Sequence, residues 1–170
     1  MARLVLSDTG PMIALARVDG LGWLRELFGV VALTPEVVAE IFAGKGGNDE
    51  VLVRQALAGG WLKPLGASPA ESRYPHLGEG EASCLRVALT RGEPSLLLLD
   101  DRLARREARR AGLKFLGVAA VIGMAELQGL TPSARAVFDQ LLQTDYRISE
   151  GVIDDALRSV AADKARAVGN

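Results

Sequence analysis

The chain of 170 residues carries a formal net charge of −1, and 49% of its residues are hydrophobic. This length suits one domain with a substantial buried core, and the near-neutral charge gives no general argument for a nucleic-acid partner. The single histidine, His76, excludes a histidine-rich metal site. The single cysteine, Cys84, excludes an internal disulfide, which fits a reducing cytoplasm. We find no signal-peptide pattern and no apolar run of about 20 residues that could cross a membrane.

The first predicted element is a short buried strand over residues 4–6, and the carboxylate of Asp8 lies where that strand ends. Gly10 and Pro11 interrupt the strand, and Pro11 suits the first turn of an apolar helix over 12–16. Ligands of open α/β sheets bind at the carboxyl ends of strands, so Asp8 is a candidate site residue. The alternative is that Asp8 only caps the helix.

Strands and helices alternate along the rest of the chain. The pattern predicts further strands over residues 30–33, 61–65, 95–99 and 113–116. It predicts helices over 21–28, 34–42, 48–58, 78–91, 102–111, 119–128, 131–143 and 149–161, a flap-like loop over 66–76, and a frayed tail over 165–170. Such alternation indicates βαβ units. We therefore expect one domain over 1–164, a three-layer α/β/α sandwich around a mainly parallel sheet of four to five strands.

The predicted helix over 78–91 places two acidic side chains, Glu79 and Glu81, on different faces. At about 100° per residue, Glu81 falls on the apolar stripe, whereas Glu79 falls on a polar stripe with Ser83 and Arg86. We therefore expect Glu79 to face water and Glu81 to face inward. An inward carboxylate is costly unless it is paired or bound to a metal. A buried salt bridge to an arginine is the plainer alternative for Glu81.

Acidic residues elsewhere are positioned to join Asp8 and Glu81 in one crevice. Glu40 flanks the apolar face of its helix, although an ordinary solvated position is equally compatible with the pattern. Asp100 and Asp101 end the most apolar strand, and one of them is expected to cap the next helix. Clustered carboxylates repel one another, and Mg²⁺ or Mn²⁺ relieves that repulsion. Such a site activates water and stabilises a phosphoryl group during displacement.

The predicted helix after Asp101 is rich in arginine. Its arginines are Arg102, Arg105, Arg106, Arg109 and Arg110. They could contact a phosphate backbone, or they could form a solvated outer face, and the sequence leaves both interpretations open. Arg102 and Arg105 are nearest the acidic residues and are the better candidates for phosphate contacts.

Five segments of the chain, in their order and spacing, resemble the PIN-domain ribonucleases. They are LVLSDTGP at 4–11, TPEVVAEI at 34–41, LGEGEA at 77–82, LLDD at 98–101 followed by AR at 104–105, and YRIS at 146–149. Within that family, the chain is similar to the short, single-domain prokaryotic members of the VapC toxin type. The resemblance covers nearly the whole chain.

This resemblance implies a three-layer α/β/α fold and Mg²⁺- or Mn²⁺-dependent cleavage of RNA phosphodiester bonds. It also implies a cytoplasmic homodimer whose crevice is blocked by a small antitoxin protein. The implied metal ligands and catalytic residues are Asp8, Glu40, Glu81 and one of the pair Asp100 and Asp101, with Asp101 favoured, and Thr9 supports them. If the substrate is RNA, the phosphate contacts expected of Arg102 and Arg105 from their position would be made to its backbone.

Three other functional interpretations of the sequence compete with this one. A PIN-like module that binds nucleic acid or protein without turnover would keep the fold, but the presence of all the acidic residues argues against it. A haloacid-dehalogenase phosphatase requires a second aspartate two residues after the first, where this chain has Gly10. The segment Asp8-Thr9-Gly10 also occurs in aspartic proteases, but these are all-β proteins, and the helical periodicity here contradicts that class.

Overall fold

The computed structural model describes residues 4–44, 46–70 and 73–168. Within these ranges the chain forms five strands and nine helices. The strands are β1 (Leu4–Ser7), β2 (Val31–Leu33), β3 (Leu62–Pro64), β4 (Ser95–Leu98) and β5 (Lys114–Leu116). The helices are α1 (Thr9–Arg17), α2 (Trp23–Phe28), α3 (Pro35–Phe42), α4 (Asn48–Ala58), α5 (Glu79–Arg91), α6 (Arg102–Arg110), α7 (Val118–Leu127), α8 (Ala134–Leu142) and α9 (Glu150–Val168).

The strands form one parallel sheet in the order β3-β2-β1-β4-β5, which confirms the predicted α/β/α architecture. The apolar runs of the central strands account for this arrangement, because a strand with helices on both faces must be apolar on both. Leu6 of β1 and Leu97 and Leu98 of β4 have no exposed surface. Each such burial contributes about 2 kcal/mol.

The order of the strands places a crevice beside β1. From β1 the chain proceeds outward through β2 and β3, then returns across the sheet to β4 on the other side of β1. The carboxyl ends of β1 and β4 therefore lie at the switch point, where open α/β sheets bind ligands. The backbone amide of Asp8 donates to the carbonyl of Leu98 at 3.0 Å, which joins these two strand ends.

The C-terminal helices differ from the prediction in their boundaries. α8 begins at Ala134 rather than at Thr131. Ser133 is its N-cap, and the Ser133 hydroxyl accepts a hydrogen bond from the backbone amide of Ala136 at 3.2 Å. α9 continues to Val168 instead of ending near residue 161. The tail predicted to be frayed is therefore helical over 165–168, and residues 169–170 lie outside the described residues.

The polar stripe of α5 that carries Glu79 is buried in part, because α3 covers Ser83 and Arg86. Ser83 is fully buried, and its hydroxyl lies 2.6 Å from that of Thr34, the N-cap of α3. The side chain of Arg86 is only 6% exposed and pairs with Glu79 at 3.3 Å and with Glu36 at 3.9 Å. Helical phase alone cannot distinguish water from a polar neighbouring helix, and here the neighbour is a helix.

The loop expected over 66–76 contains neither helix nor strand in its described parts, 66–70 and 73–76. Its ends are tied to the domain. The Ser68 hydroxyl donates to Glu36, and His76 Nε2 lies 3.6 Å from Glu107 on α6. No helix of the described chain combines the length and apolar character needed to cross a bilayer.

Candidate active site

Asp8 lies at the centre of the crevice between β1 and β4. It directly follows β1 and is only 5% exposed. Its Oδ1 atom is buried and has no hydrogen-bond partner among the described residues. A buried carboxylate oxygen without a donor is energetically costly, so Asp8 is poorly satisfied by the protein alone.

Glu40 reaches the same crevice from α3 and connects three elements. Its Oε2 accepts a hydrogen bond from the Thr9 hydroxyl at 2.6 Å, and its Oε1 accepts one from the backbone amide of Gly80 at 2.8 Å. Thr9 begins α1, and Gly80 lies in the first turn of α5, where amides have no partner within the helix. These contacts fix the direction of the Glu40 carboxylate.

Gly80 is the point on which the carboxylates of Asp8 and Glu40 converge. A Cβ atom added at this glycine would lie 2.7 Å from Asp8 Oδ1, and 2.6 and 3.0 Å from the two oxygens of Glu40. Any side chain here would displace one of the two acids. Only glycine lets α5 begin this close to them.

Replacing Gly80 with alanine is expected to lower the free energy of unfolding by about 1–3 kcal/mol, the usual cost of overpacking. The loss should appear although alanine is the better helix former. Gly151→Ala in α9 is the matched control, because its Cβ meets nothing within 4 Å and should be neutral or stabilising. Chemical denaturation measures both. A Gly80→Ala protein as stable as Gly151→Ala would contradict the close approach.

Glu81 and Asp101 lie on the other side of the crevice. Glu79 is 72% exposed, whereas Glu81 is half-buried, as the helical projection predicts. Burial raises the pKa of Glu81, and the charges of Asp101 and Glu40 raise it further. The Glu81 carboxylate is turned back toward Gly78, the N-cap of α5, where an added Cβ would collide with it.

The pKa of Asp8 shows how strongly the cluster opposes its charge. Burial, the largest cause, and the neighbouring charges of Glu81 and Glu40 together raise this pKa from 3.8 to about 7. Both causes disfavour the ionised form. Asp8 is therefore the carboxylate for which a positive charge in the crevice would bring the largest relief.

The two neighbouring aspartates at the end of β4 have different environments. Asp101 is exposed and caps α6, its Oδ1 accepting from the amide of Ala104 at 2.8 Å. Asp100 accepts from Arg105 Nη2 at 3.1 Å, from the amide of Val118 at 3.0 Å, and from the Tyr146 hydroxyl. Asp100 is thus surrounded by donors from three segments, whereas Asp101 keeps free oxygen capacity near Glu81.

Of the two arginines predicted to contact phosphate, Arg105 is engaged within the protein. In addition to Asp100, its Nε donates to the carbonyl of Leu99 at 2.7 Å, and its guanidinium lies 6.0 Å from the centre of the Phe115 ring. Arg102, the first residue of α6, is exposed. The contact of Arg105 with RNA stays a prediction, and its intramolecular contacts hold the β4–α6 junction.

The donor chemistry of these residues and the environment of Asp8 indicate how well the site fits a divalent cation. Carboxylate oxygens are the preferred ligands of Mg²⁺ and Mn²⁺, and Asp8 Oδ1 is buried, unpaired and beside Glu40. As placed, however, no three acidic, histidine or cysteine side chains of the described chain surround a single point closely enough to hold an ion. Glu40 is held by Thr9 and Gly80, and Glu81 by its turn toward Gly78. The acids fit a cation in kind and location, while the complete ligand set stays a prediction.

A parallel sheet with carboxylates gathered at its switch point defines an α/β protein whose candidate site lies at the carboxyl ends of the strands. A family model described as a PIN domain matches residues 4–162. The chain therefore belongs to the PIN-domain family, whose members are typically nucleases, generally use divalent metal ions and generally bind nucleic acid. None of the curated proteins matches this chain.

Proposed function

We propose that this protein is a metal-dependent endoribonuclease that hydrolyses RNA phosphodiester bonds. The observation that carries the proposal is the buried, unpaired Oδ1 of Asp8, which lies beside Glu40 at the switch point of a PIN-domain sheet. A structural acid would be paired with a base or neutralised by donors. Asp8 is buried, its Oδ1 has no donor, and two further carboxylates lie near enough to raise its pKa in addition to burial; a cation would relieve both effects.

In this proposal, Asp8, Glu40, Glu81 and Asp101 are the catalytic residues and hold the cation, which is Mg²⁺ or Mn²⁺. When bound, the metal would activate water and stabilise negative charge on the phosphoryl group. The support for Glu81 and Asp101 is their mutual proximity, which raises the pKa of Glu81. Thr9 supports the site by holding the Glu40 carboxylate in its direction.

Cleavage of RNA by the purified protein tests this function. Single-stranded RNA should be cut internally in Mg²⁺ or Mn²⁺ and left intact in EDTA, with activity returning when the metal is restored. A panel of transfer, ribosomal and messenger RNA would identify the substrate. Binding of RNA without cleavage in either metal would favour the second candidate, a PIN-like binding module without turnover.

Asp100 and Asp101, at the end of β4, should respond differently to substitution if Asp101 is a metal ligand and Asp100 a structural acid. Asp101→Asn should keep the fold, because asparagine is an equally good N-cap, but should reduce cleavage at least about tenfold by removing a ligand charge. Asp100→Asn should instead lower the free energy of unfolding by about 1–3 kcal/mol, because it removes the charged partner of Arg105. Cleavage rates and denaturation curves of both variants measure this contrast. The reverse pattern would make Asp100 the ligand.

The resemblance to VapC-type toxins leads us to propose the role of toxin in a toxin–antitoxin module, located in the cytoplasm. A small antitoxin would insert an arginine or lysine toward Asp8, Glu40 and Glu81, where a charge-assisted pair relieves the same repulsion as a cation. Excess Mg²⁺ or Mn²⁺ should then weaken inhibition. Inhibition independent of metal would indicate that the antitoxin blocks RNA entry elsewhere.

We also propose a homodimer, for which α9 provides limited support. The apolar stripe predicted on this helix is Val152, Ile153, Ala156, Leu157 and Val160. Ile153 and Val160 are buried within the chain, where α9 packs on α7, so much of the stripe serves the protein's own core. Val152 is 40% exposed and borders a groove of about 410 Å³ between α7 and α9. Light scattering after size exclusion measures the assembly, and a monomer at high micromolar concentration would contradict the dimer.

A further inference from the structure

The strongest concentration of charge outside the acidic crevice is on α6. This helix carries five arginines and one glutamate, a net charge of +4 in a chain whose net charge is −1. One arginine, Arg105, is directed at Asp100. The other four are exposed and fall within an arc of about 100° at 100° per residue; we call them the α6 ridge: Arg102, Arg106, Arg109 and Arg110.

Three guanidiniums of the α6 ridge are held in place by the protein. Glu107 lies beneath them with 11% of its side chain exposed, and its Oε1 is 3.0 Å from Arg110 Nη1 and 3.5 Å from Arg106 Nε. The side chains of Arg106 and Arg110 remain 50% and 66% exposed. The guanidinium of Arg109 lies 5.4 Å from the centre of the Phe115 ring. Arginines that are ordered before binding lose less entropy when a ligand arrives. What separates this surface from isolated surface arginines is that the ordered side chains form one row on one face of a single helix.

The α6 ridge begins at the acidic crevice. α6 follows directly on Asp101 at the carboxyl end of β4, and that strand end is joined to Asp8 by the hydrogen bond from the Asp8 amide to the Leu98 carbonyl at 3.0 Å. Because α6 connects the parallel strands β4 and β5, it must run from the carboxyl edge of the sheet back to the amino edge. From Arg102 to Arg110 the helix is about 12 Å long. The ridge therefore leads from the crevice down the flank of the domain, for a length that exceeds the spacing of phosphates along a strand, about 3.4 Å of axis in a duplex.

We propose that the α6 ridge binds the phosphates of the RNA strand on one side of the bond that is cut. This inference rests on the proposed function, because the crevice gives the strand its position. Guanidiniums bind phosphate oxygens in a bidentate geometry, and a continuous row of them beside a phosphodiester-cleaving site suits a polyanion with regular charges. The strand would pass the acids and then follow α6 toward β5.

The experiment is the salt dependence of RNA binding in EDTA, which measures affinity whether or not the protein cleaves. The variant R106Q/R109Q/R110Q removes three ridge charges. For single-stranded nucleic acid, each phosphate contact contributes about 0.7 to the slope of log K against log salt, so the slope should become shallower by about 2. In Mg²⁺, the KM for a long RNA should rise about tenfold or more with kcat unchanged.

The chain offers a matched control in R54Q/R158Q/R166Q. Arg54 lies over the Phe42 ring at 4.7 Å, as Arg109 lies over Phe115, while Arg158 and Arg166 pair with acids three residues away, as Arg110 does. This variant removes the same number of positive charges, but at sites outside α6. The slope of log K against log salt should therefore keep its wild-type value. A second variant, R106K/R109K/R110K, keeps the charge and should also retain most of the slope, which guards against a loss caused by misfolding.

The possible outcomes separate this inference from the proposed function. Cleavage by the wild-type protein with an unchanged slope in R106Q/R109Q/R110Q would overturn the ridge and leave the nuclease standing. Ridge-dependent RNA binding without cleavage in any metal would support the ridge and overturn the nuclease. Equal slopes for the ridge and control variants, combined with loss of antitoxin inhibition only in the ridge variant, would assign α6 to an acidic protein partner and overturn the RNA interface.

Discussion

Asp8→Asn should reduce RNA cleavage at least about 100-fold and yet make the metal-free protein more stable at pH 8. The first effect follows from removing a ligand charge without changing the size of the side chain. The second follows because Asp8 is 5% exposed, has one oxygen without a donor, and lies beside two other carboxylates. A neutral amide avoids the cost of that buried charge.

The sign of the pH dependence follows from the raised pKa. Folding raises the pKa of Asp8 from 3.8 to about 7, so the unfolded chain loses this proton at lower pH than the folded protein. The stability contributed by the protonated group is complete below pH 4 and is lost as the pH rises to 7. At about 1.4 kcal/mol per pH unit, the loss approaches about 4 kcal/mol. Asp8→Asn should abolish this part of the pH dependence.

Thermal unfolding in EDTA at pH 5 and pH 8 tests the stability effect. At pH 5 the folded wild-type Asp8 is protonated and only the first part of this loss of stability has occurred, so the variant should melt only slightly higher than the wild-type protein. At pH 8 the variant should melt several degrees higher. A folded variant with wild-type cleavage would remove Asp8 from the site, and a lower melting temperature at pH 8 would show that its carboxylate is satisfied in the native protein.

The sheet could be predicted from the sequence because its signals are local. Two short apolar runs, each ending in an aspartate, gave the central strands β1 and β4, and the alternation of strands and helices indicated parallel pairing. The burial of two polar residues on α5 could not be predicted, for a reason that is not local. Ser83 and Arg86 are polar and yet buried, because Thr34 and Glu36 at the start of α3, about 50 residues earlier in the chain, are among their partners.

Within the candidate site, the acids and Thr9 could be proposed from the sequence, but the contacts of Gly80 and Tyr146 could not. Gly80 has a weak signal, since a glycine between two glutamates in the first turn of a helix weakens that helix, but only the structure shows the two carboxylates that it admits. Tyr146 has no local signal, because its partner Asp100 is 46 residues away. Its hydroxyl, desolvated and beside a carboxylate, has a raised pKa and remains a donor. For the same reason, the sequence could not separate Asp100 from Asp101.

Substitutions of Glu79 and Glu81, both on α5, should differ strongly in their effect on cleavage. Glu81→Gln should abolish cleavage, with a loss of at least about 100-fold, whereas Glu79→Gln should leave it within about twofold of wild type. Glu81 is half-buried on the inward stripe of α5 with its carboxylate turned back toward Gly78, and its pKa is raised by burial and by the charges of Asp101 and Glu40. Glu79 is 72% exposed and contacts Arg86, a contact that the glutamine oxygen can retain. Both changes remove one negative charge from the first turn of α5, so the general effect on that helix cancels in the comparison.

The stability of the same two variants separates a ligand from a structural acid. In metal-free buffer, Glu81→Gln should leave the melting temperature unchanged or raise it, because one member of a mutually repelling cluster is gone. Addition of Mg²⁺ or Mn²⁺ should stabilise the wild-type and Glu79→Gln proteins more than Glu81→Gln, since a ligand that binds only the folded state stabilises it in proportion to its affinity. Equal stabilisation of all three by metal, or the greater loss of cleavage in Glu79→Gln, would mean that Glu81 does not face the metal and that the crevice is built from Asp8, Glu40 and Asp101 without it.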